Sequence, residues 1–322
     1  MAWLTGYGER CAINVLAAQV GSGGVSNFPV LLTGANMPAQ LWSDALASGL
    51  DLRVTAADGT TKVNHELVSF TPGSTAMELH FLGASLSSAA NTTFYLYWQK
   101  AGDTGELPAW GQGVWTGGNH LAVWHGNEGA GSALADATGN YGGALSTAAW
   151  WSPGFIGNGL GATAVGNTAT PVPVLGSGDF TIEFFNFATS LKTKDGAGNA
   201  AEVVNVGDAW ATGSPVKWTG VRDGNTLRLY RNATQVATGD CSAQGAFSSP
   251  ASTLFRSFGI SKAVGWDEIR VSSVARAPAW VTTEYNNQSS PATFYSVGAV
   301  ESAGTGNLRR WNPHIMPGLN PR

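Results

Sequence analysis

The stretch Leu50-Asp51-Leu52-Arg53-Val54 alternates apolar and polar side chains and is followed within a few residues by Asp58-Gly59. Alternation with a period of two gives a strand one buried face, and Asp-Gly accepts the positive φ of a tight hairpin. The same pattern recurs along the chain. Cys11-Ala12-Ile13-Asn14-Val15-Leu16 leads through a glycine-rich turn to Phe28-Pro29-Val30-Leu31-Leu32, and Glu78-Leu79-His80-Phe81-Leu82 precedes Thr92-Thr93-Phe94-Tyr95-Leu96-Tyr97-Trp98. Later come Leu121-Ala122-Val123-Trp124-His125, Phe180-Thr181-Ile182-Glu183-Phe184-Phe185, Val203-Val204-Asn205-Val206, and Asp223-Gly224 followed by Thr226-Leu227-Arg228-Leu229-Tyr230. Only 12% of residues are charged, about half the usual share of roughly 25%. Long amphipathic helices need more Glu, Lys and Arg than this, whereas 43 Gly and 13 Trp suit many strands joined by tight turns. The chain reads as all-β.

With 322 residues there is room for two antiparallel β-sandwich domains in tandem. The first is expected over residues 1–102. A polar, proline-ended stretch suggests a linker over 103–113, and a second sandwich follows over 114–300. One short helix is expected at Pro278-Ala279-Trp280-Val281-Thr282-Thr283-Glu284-Tyr285, because proline suits a first helical turn. Residues 301–322 contain three prolines and read as an extended C-terminal arm.

A net charge of −4 and a pI near 5.7 supply no field that attracts nucleic acid. No run approaches the length of a membrane-spanning helix, so no membrane insertion is expected. Cys11 and Cys241 lie far apart and read as unpaired thiols. The residues from Met1 run into the first strand without a basic, then apolar, leader; the expectation is synthesis in the cytosol without a secretory signal.

Several segments together resemble a known tandem. Gly49 to Val54, Asp58-Gly59-Thr60 and Thr92 to Tyr97 are similar to a bacterial β-sandwich module that precedes laminin-G-like domains in phage and bacterial surface proteins. Val123-Trp124-His125, Asp136-Ala137-Thr138-Gly139-Asn140, Gly154 to Gly159, and Trp266-Asp267-Glu268-Ile269-Arg270-Val271 followed by Glu284-Tyr285-Asn286-Asn287-Gln288 resemble a concanavalin A-like jelly roll. The resemblance implies a concanavalin A-like, laminin-G-like second domain. One departure is Arg231-Asn232-Ala233-Thr234, where that family often has Val-Asp-Gly after the tyrosine.

Concanavalin A-like folds also host glycosidases, which in one branch use Glu-x-Asp-x-x-Glu; that string does not occur here. Asp267 and Glu268 are adjacent and would face opposite sides of a strand. Glu268 and Arg270 share a face and are expected to pair beneath the final helix, with Glu183 as a further partner. Loop oxygens of Asp136, Asn140 and Asp179 are candidate ligands for a structural Ca²⁺, against the alternative that 136–140 closes on itself as an Asx turn. His120 and His125 would face opposite sides of a strand, and five His with two distant Cys give no zinc-ligand spacing. No nucleophile elbow and no phosphate-binding loop occurs. Trp150, Trp151 and Trp210 sit in loop-like surroundings and are the candidates for stacking on sugar rings. In the arm, Arg309, Arg310, Trp311, Ile315, Met316 and Leu319 are candidate docking residues for other virion proteins.

These features point to a non-enzymatic phage virion protein on a tail or capsid, oligomeric and in contact with host surface glycans. The alternative is a carbohydrate-binding adhesin on a bacterial surface, and a glycoside hydrolase is third. No cofactor other than structural Ca²⁺ is expected.

Overall fold

A computed structural model of the protein describes residues 2–105, 108–144, 150–160, 173, 175–186, 216–242 and 266–304. The described residues form antiparallel sheets with a few short helices. No described helix is long and apolar enough to cross a membrane.

The first domain has two sheets. One has the order β17-β1-β6-β3, from Glu9–Val15 (β1), Arg53–Thr55 (β3), Thr92–Trp98 (β6) and Tyr295–Ser302 (β17). The other has the order β2-β5-β4, from Val25–Thr33 (β2), His65–Thr71 (β4) and Ala76–Leu86 (β5). Inward residues of both, among them Ile13, Val30, Leu79, Phe81 and Leu96, make one buried core. The Asp58-Gly59 turn forms as its sequence predicts: Asp58 Oδ1 accepts the Thr60 and Thr61 amides, both at 2.8 Å. Gly59 has φ +79°, and its carbonyl accepts the Tyr97 hydroxyl at 2.8 Å. A Cβ there would stand 2.5 Å from the Ala2 carbonyl oxygen, so only glycine fits.

The second domain is a continuous insert between β6 and the C-terminal block. Its described part is an eight-stranded sheet. The path runs through Trp150–Trp151 (β10), Gly159–Leu160 (β11), Trp266–Ser272 (β16), Phe180–Asn186 (β12), Val216–Asp223 (β13), Thr226–Arg231 (β14) and Thr234–Asp240 (β15), with His120–Trp124 (β7) also on β16. Ala133–Leu134 (β8) and Gly143–Ala144 (β9) form a small separate pair. Trp124, Phe184, Trp218, Leu229, Trp266 and Ile269 anchor its core. Asn232 and Ala233 both have positive φ, so the Arg231–Thr234 hairpin closes in the geometry of a type I′ turn without a glycine. The strand expected at 203–206 lies outside the described residues.

Three expected boundaries are corrected. Residues 295–300 are expected in the second sandwich and 301–302 in the arm, but 295–302 pair with β1 from Glu9↔Ser302 to Val15↔Tyr295. A strand's sequence reveals its two faces, not its partner, so proximity in the chain misleads here. The expected linker, 103–113, instead enters a helix at Pro108–Thr116 (α2), with Pro108 at its first position, where a missing N–H costs nothing. The arm is expected from 301, but Glu301 and Ser302 belong to β17, and Glu301 pairs with Arg10 at 2.7 Å; residues 305–322 lie outside the described residues. Ala39–Asp44 (α1) buries Leu41 in the first core, with Trp42 packed against it.

The helix expected at 278–285 is present and continues to Ser289 (Pro278–Ser289, α3), followed by Pro291–Phe294 (α4). Two stripes of α3, each at spacing i, i+3, i+7, are buried against different domains. Trp280, Thr283 and Asn287 face the first domain. Trp280 meets the Phe28 ring edge-on at 5.0 Å, Thr283 Oγ1 accepts the Gly21 amide at 2.9 Å, and Asn287 bonds both backbone groups of Leu31 at 2.7 and 3.0 Å. Val281, Glu284 and Gln288 face the second. Val281 packs with Val221 and Tyr230, Glu284 meets Arg270 and Lys217, and Gln288 accepts from Lys217.

Candidate functional site

Charged side chains are scarce in this chain, yet many of them are gathered, buried, where the two domains meet. Glu78 and His80 are two apart on β5 and share a face. Opposite them stand His125, just past β7, and Glu268 and Arg270 of β16. His125 Nδ1 lies 2.6 Å from Glu268 Oε1 and 3.5 Å from Glu78 Oε1, and its Nε2 lies 3.4 Å from Glu66 Oε2. With a carboxylate at each ring nitrogen, His125 is an imidazolium: burial opposes the charge, but Glu268 and Glu66 outweigh it and hold the pKa well above the usual range. His80, stacked on His125 at 5.0 Å, is held neutral by burial and by that neighbouring charge.

Glu268 is placed by a defect in the sheet. The β12–β16 register shifts between Glu183 and Phe185, and Glu268 takes φ +50°. Such a bulge re-aims side chains at a cost of order 1–2 kcal/mol for a non-glycine residue. The result sends Asp267 and Glu268 to different partners. Asp267 Oδ2 accepts the Phe155 and Ile156 amides at 2.6 and 2.8 Å, while Glu268 turns to His125 and Arg270. Arg270 bonds Glu268 Oε2 at 2.6 Å and Glu284 Oε1 at 2.8 Å, with its guanidinium 4.8 Å above the Trp115 ring. Glu268 and Arg270 thus do share a face beneath the final helix. Burial disfavours both Glu268 and Glu284 as anions, but the cations beside them hold both carboxyls well below the usual range.

Other acids respond to burial by keeping their protons. Burial, then the nearby Glu268 charge, pushes Glu78 up to about 8. Burial, then Glu284, raises Glu183 well above the usual carboxylate range. Neither Glu183 oxygen has a hydrogen-bond partner among the described residues, in keeping with a buried acid that holds its proton.

The cluster meets solvent along one edge. Glu66 is 21% exposed and His125 9%, and both line a cleft of about 300 Å³ with Asn127 and Glu128. A second cleft of about 350 Å³, lined by Arg53, His65 and Gln112, shares Glu66, Leu67, Ala135 and Ala137 with the first.

The candidate Ca²⁺, sugar-stacking and docking residues are not among the cluster's described side chains, although Asp136 lines the second cleft. Both oxygens of Asp136 are occupied by its own loop and β7: Oδ1 accepts Val123 and Thr138 amides at 2.7 and 3.1 Å, and Oδ2 accepts the Thr138 hydroxyl and the Asn140 and Tyr141 amides at 2.5, 2.9 and 2.7 Å. Five donors on one carboxylate are the self-closing turn, and they leave it no free lone pair for Ca²⁺. Asp179 caps a different turn, accepting the Gly224 amide at 2.7 Å. Trp150 is half-buried against the second core and donates its indole N–H to the Gly131 carbonyl at 2.9 Å. Trp151 lies in β10, while Trp210, Arg309, Arg310, Trp311, Ile315, Met316 and Leu319 lie outside the described residues. Cys11 and Cys241 are buried and unpaired; burial pushes the Cys11 thiol up to about 12, beyond reach of ordinary thiol chemistry. His120 and His125, expected on opposite sides of a strand, both meet the Trp115 ring, with centroids 5.4 and 5.3 Å away, because the β7–β16 register shifts opposite His120; His120 Nδ1 lies 3.1 Å from the Trp115 carbonyl.

Sequence reasoning missed Glu66, Glu78 and His80 altogether. The signal was present: Glu78 and His80 interrupt an apolar strand in a chain poor in charge, so they are either exposed or paired in the interior.

No family model matches the sequence, and no curated protein matches it. Among solved structures, Trypanosoma rangeli sialidase in complex with 2,3-difluoro-KDN is 13% identical, with a TM-score of 0.40, over 55% of this chain and 34% of that one. The binding domain of Paraclostridial Mosquitocidal Protein 1 is 8% identical, with a TM-score of 0.39, over 52% of each chain. The botulinum neurotoxin serotype D binding domain is 10% identical, with a TM-score of 0.35, over 53% of this chain and 52% of that one. The chain spans about half or less of the length of these structures, and the likeness is at most one of β-sheet architecture.

Proposed function

We propose that the chain is a non-enzymatic presentation protein of a virion surface, on tail or capsid, with the first domain as platform and the second as an inserted head that contacts host glycans. One observation carries the non-enzymatic reading: the opposed acids at the junction are consumed in holding the domains together. A retaining glycosidase needs two carboxyl groups about 5–5.5 Å apart with a sugar between them. Glu78 and Glu268 offer donor atoms within 4.8 Å of one another, but His125 sits against both, and the two residues are 2% and 0% exposed. No sugar ring fits there. The virion setting draws on the resemblance of the 49–97 and 266–288 segments to modules of phage and bacterial surface proteins. Docking onto other virion proteins through Arg309, Arg310, Trp311, Ile315, Met316 and Leu319, assembly as a homo-oligomer, and sugar stacking by Trp151 and Trp210 belong to the same proposal.

Mass spectrometry of fractionated particles, with gold-labelled antibody in negative stain, tests the setting. Label on tail or capsid is expected; absence of the chain from purified particles overturns it and favours the bacterial adhesin. Glycan-array binding without release of reducing sugar is expected of the head. Sugar release abolished by a single Glu substitution restores the hydrolase reading.

A further inference from the structure

Four junction side chains from three separate strand regions converge on one point. His80, His125, Glu78 and Glu268 each offer a donor atom, and all four atoms lie within 4.8 Å of one another. We propose that this point binds a divalent transition metal of the zinc type, pinning β5 of the first domain to β7 and β16 of the second.

The spacing suits such an ion. Ligand atoms about 2.0–2.1 Å from a tetrahedral centre lie roughly 3.3 Å from each other. His80 Nε2 and Glu78 Oε1 are 3.2 Å apart, and His125 Nδ1 and Glu78 Oε1 are 3.5 Å apart. The 2.6 Å contact of His125 Nδ1 with Glu268 Oε1 must widen, and the incoming ion displaces the Nδ1 proton of His125 to water.

A second observation is independent of spacing: in three of the four residues the atom turned away from this point is already anchored. The outer nitrogen of His125 faces Glu66 at 3.4 Å, and Glu66 is fixed by the Trp115 indole N–H at 2.5 Å. An imidazole held between a carboxylate and the metal position is the usual support of a metal-binding histidine. The second oxygen of Glu268 is held by Arg270 at 2.6 Å, and that of Glu78 by Asn127. His80 is fully buried, with Nε2 against Glu78 at 3.2 Å and no hydrogen bond to its Nδ1 among the described residues.

The cleft of about 300 Å³ beside His125 and Asn127 gives the ion a route in.

The test uses the full chain, stripped with chelator and titrated with Co²⁺ as a visible probe, then with Zn²⁺. One equivalent per chain is expected, with the visible absorption of four-coordinate Co²⁺, its displacement by Zn²⁺ and a raised Tm. Glu78→Gln, which keeps shape and hydrogen bonding, is expected to weaken binding at least about tenfold with an unchanged circular dichroism spectrum. His314→Ala, outside the cluster, is expected to bind like the parent. The absence of a stoichiometric site in the parent chain overturns the proposal, as does unchanged affinity in Glu78→Gln. Should Glu78→Gln fail to fold, X-ray absorption of the parent Zn²⁺ complex decides: two imidazole nitrogens with carboxylate oxygens are expected, and fewer than two imidazoles overturns it.

Discussion

The described core of the second domain is drawn from one continuous stretch, from Leu121 to Val271, whereas the core of the first takes residues 11–98 and then waits for the far end of the chain. Trp280, Phe294, Tyr295, Val297 and Val300 all belong to the first core, although the whole second domain precedes them. Order along the chain is therefore not membership of a domain. The difference also explains the junction. A domain inserted between two parts of another has both connections on one side, and α3, on the return path, is buried on both faces. Charged groups trapped there must be paired, because an isolated buried charge costs far more than its pairing returns.

The strongest way to break the comparison is to unbalance the junction. Arg270→Ala strands Glu268 and Glu284 in the interior and is expected to cost about 3–5 kcal/mol. Chemical denaturation checks this, and a loss below about 1 kcal/mol would mean that water reaches the cluster freely. A change of similar size, about 3–5 kcal/mol, is expected of Trp280→Ala, which removes an indole from the first core. The telling readout is location: β1, β2 and β6 amides should lose protection while β13 and β14 amides keep theirs.

How much of this was legible from the residues depends on range. Alternation marked Thr92–Trp98 as a strand, but of the strand expected over Leu50–Val54 only Arg53 and Val54 form part of one (β3), with Leu50 and Asp51 in a turn and Leu50 exposed; Asp58-Gly59 and Asp223-Gly224 marked hairpins, and Pro278 marked a helix start, because each is a local consequence of backbone geometry. The partner of β17 was not legible, since any strand with the right face can pair with β1. Nor was α2: Gly111 and Gly113 lower its helix propensity, and its stability comes from Val114 and Trp115 packing on Val123. The junction cluster is assembled from residues 66 to 288, a separation over which sequence spacing carries no geometry. Glu268 is a sharper case: alternation already sends it and Asp267 to opposite faces, but its φ of +50° and the register shift beside it were not legible, since nothing local announces a bulge.

A smaller effect separates the buried acids from one another. Glu183 carries a raised pKa, so the folded protein holds a proton that the unfolded chain releases above its ordinary carboxylate pKa near 4.5. Stability from this group is present at low pH and is lost as pH rises from there through the folded value. Glu183→Gln, which mimics the protonated form, should match the parent near pH 4 and exceed it increasingly at higher pH. Thermal unfolding at a series of pH values checks this; parallel curves would show that Glu183 is not the proton holder.

The smallest change sharpens the comparison without touching the junction. Ala233 has φ +67° in the β14–β15 hairpin, and Ala233→Gly should relieve about 1 kcal/mol of strain. Calorimetry then shows whether the second domain melts separately: a shift in one transition alone marks independent units, and a shift of a single common peak marks a junction strong enough to couple them.

The account turns on β17 belonging to the first domain, and amide hydrogen exchange on the intact chain tests this most directly. The amides of 295–302 that bond to β1 should exchange with the slow rates of β1 and β6, and should be lost together with them in Trp280→Ala. Fast exchange there while β1 and β6 stay protected, or protection that follows β12 and β16 instead, would contradict it.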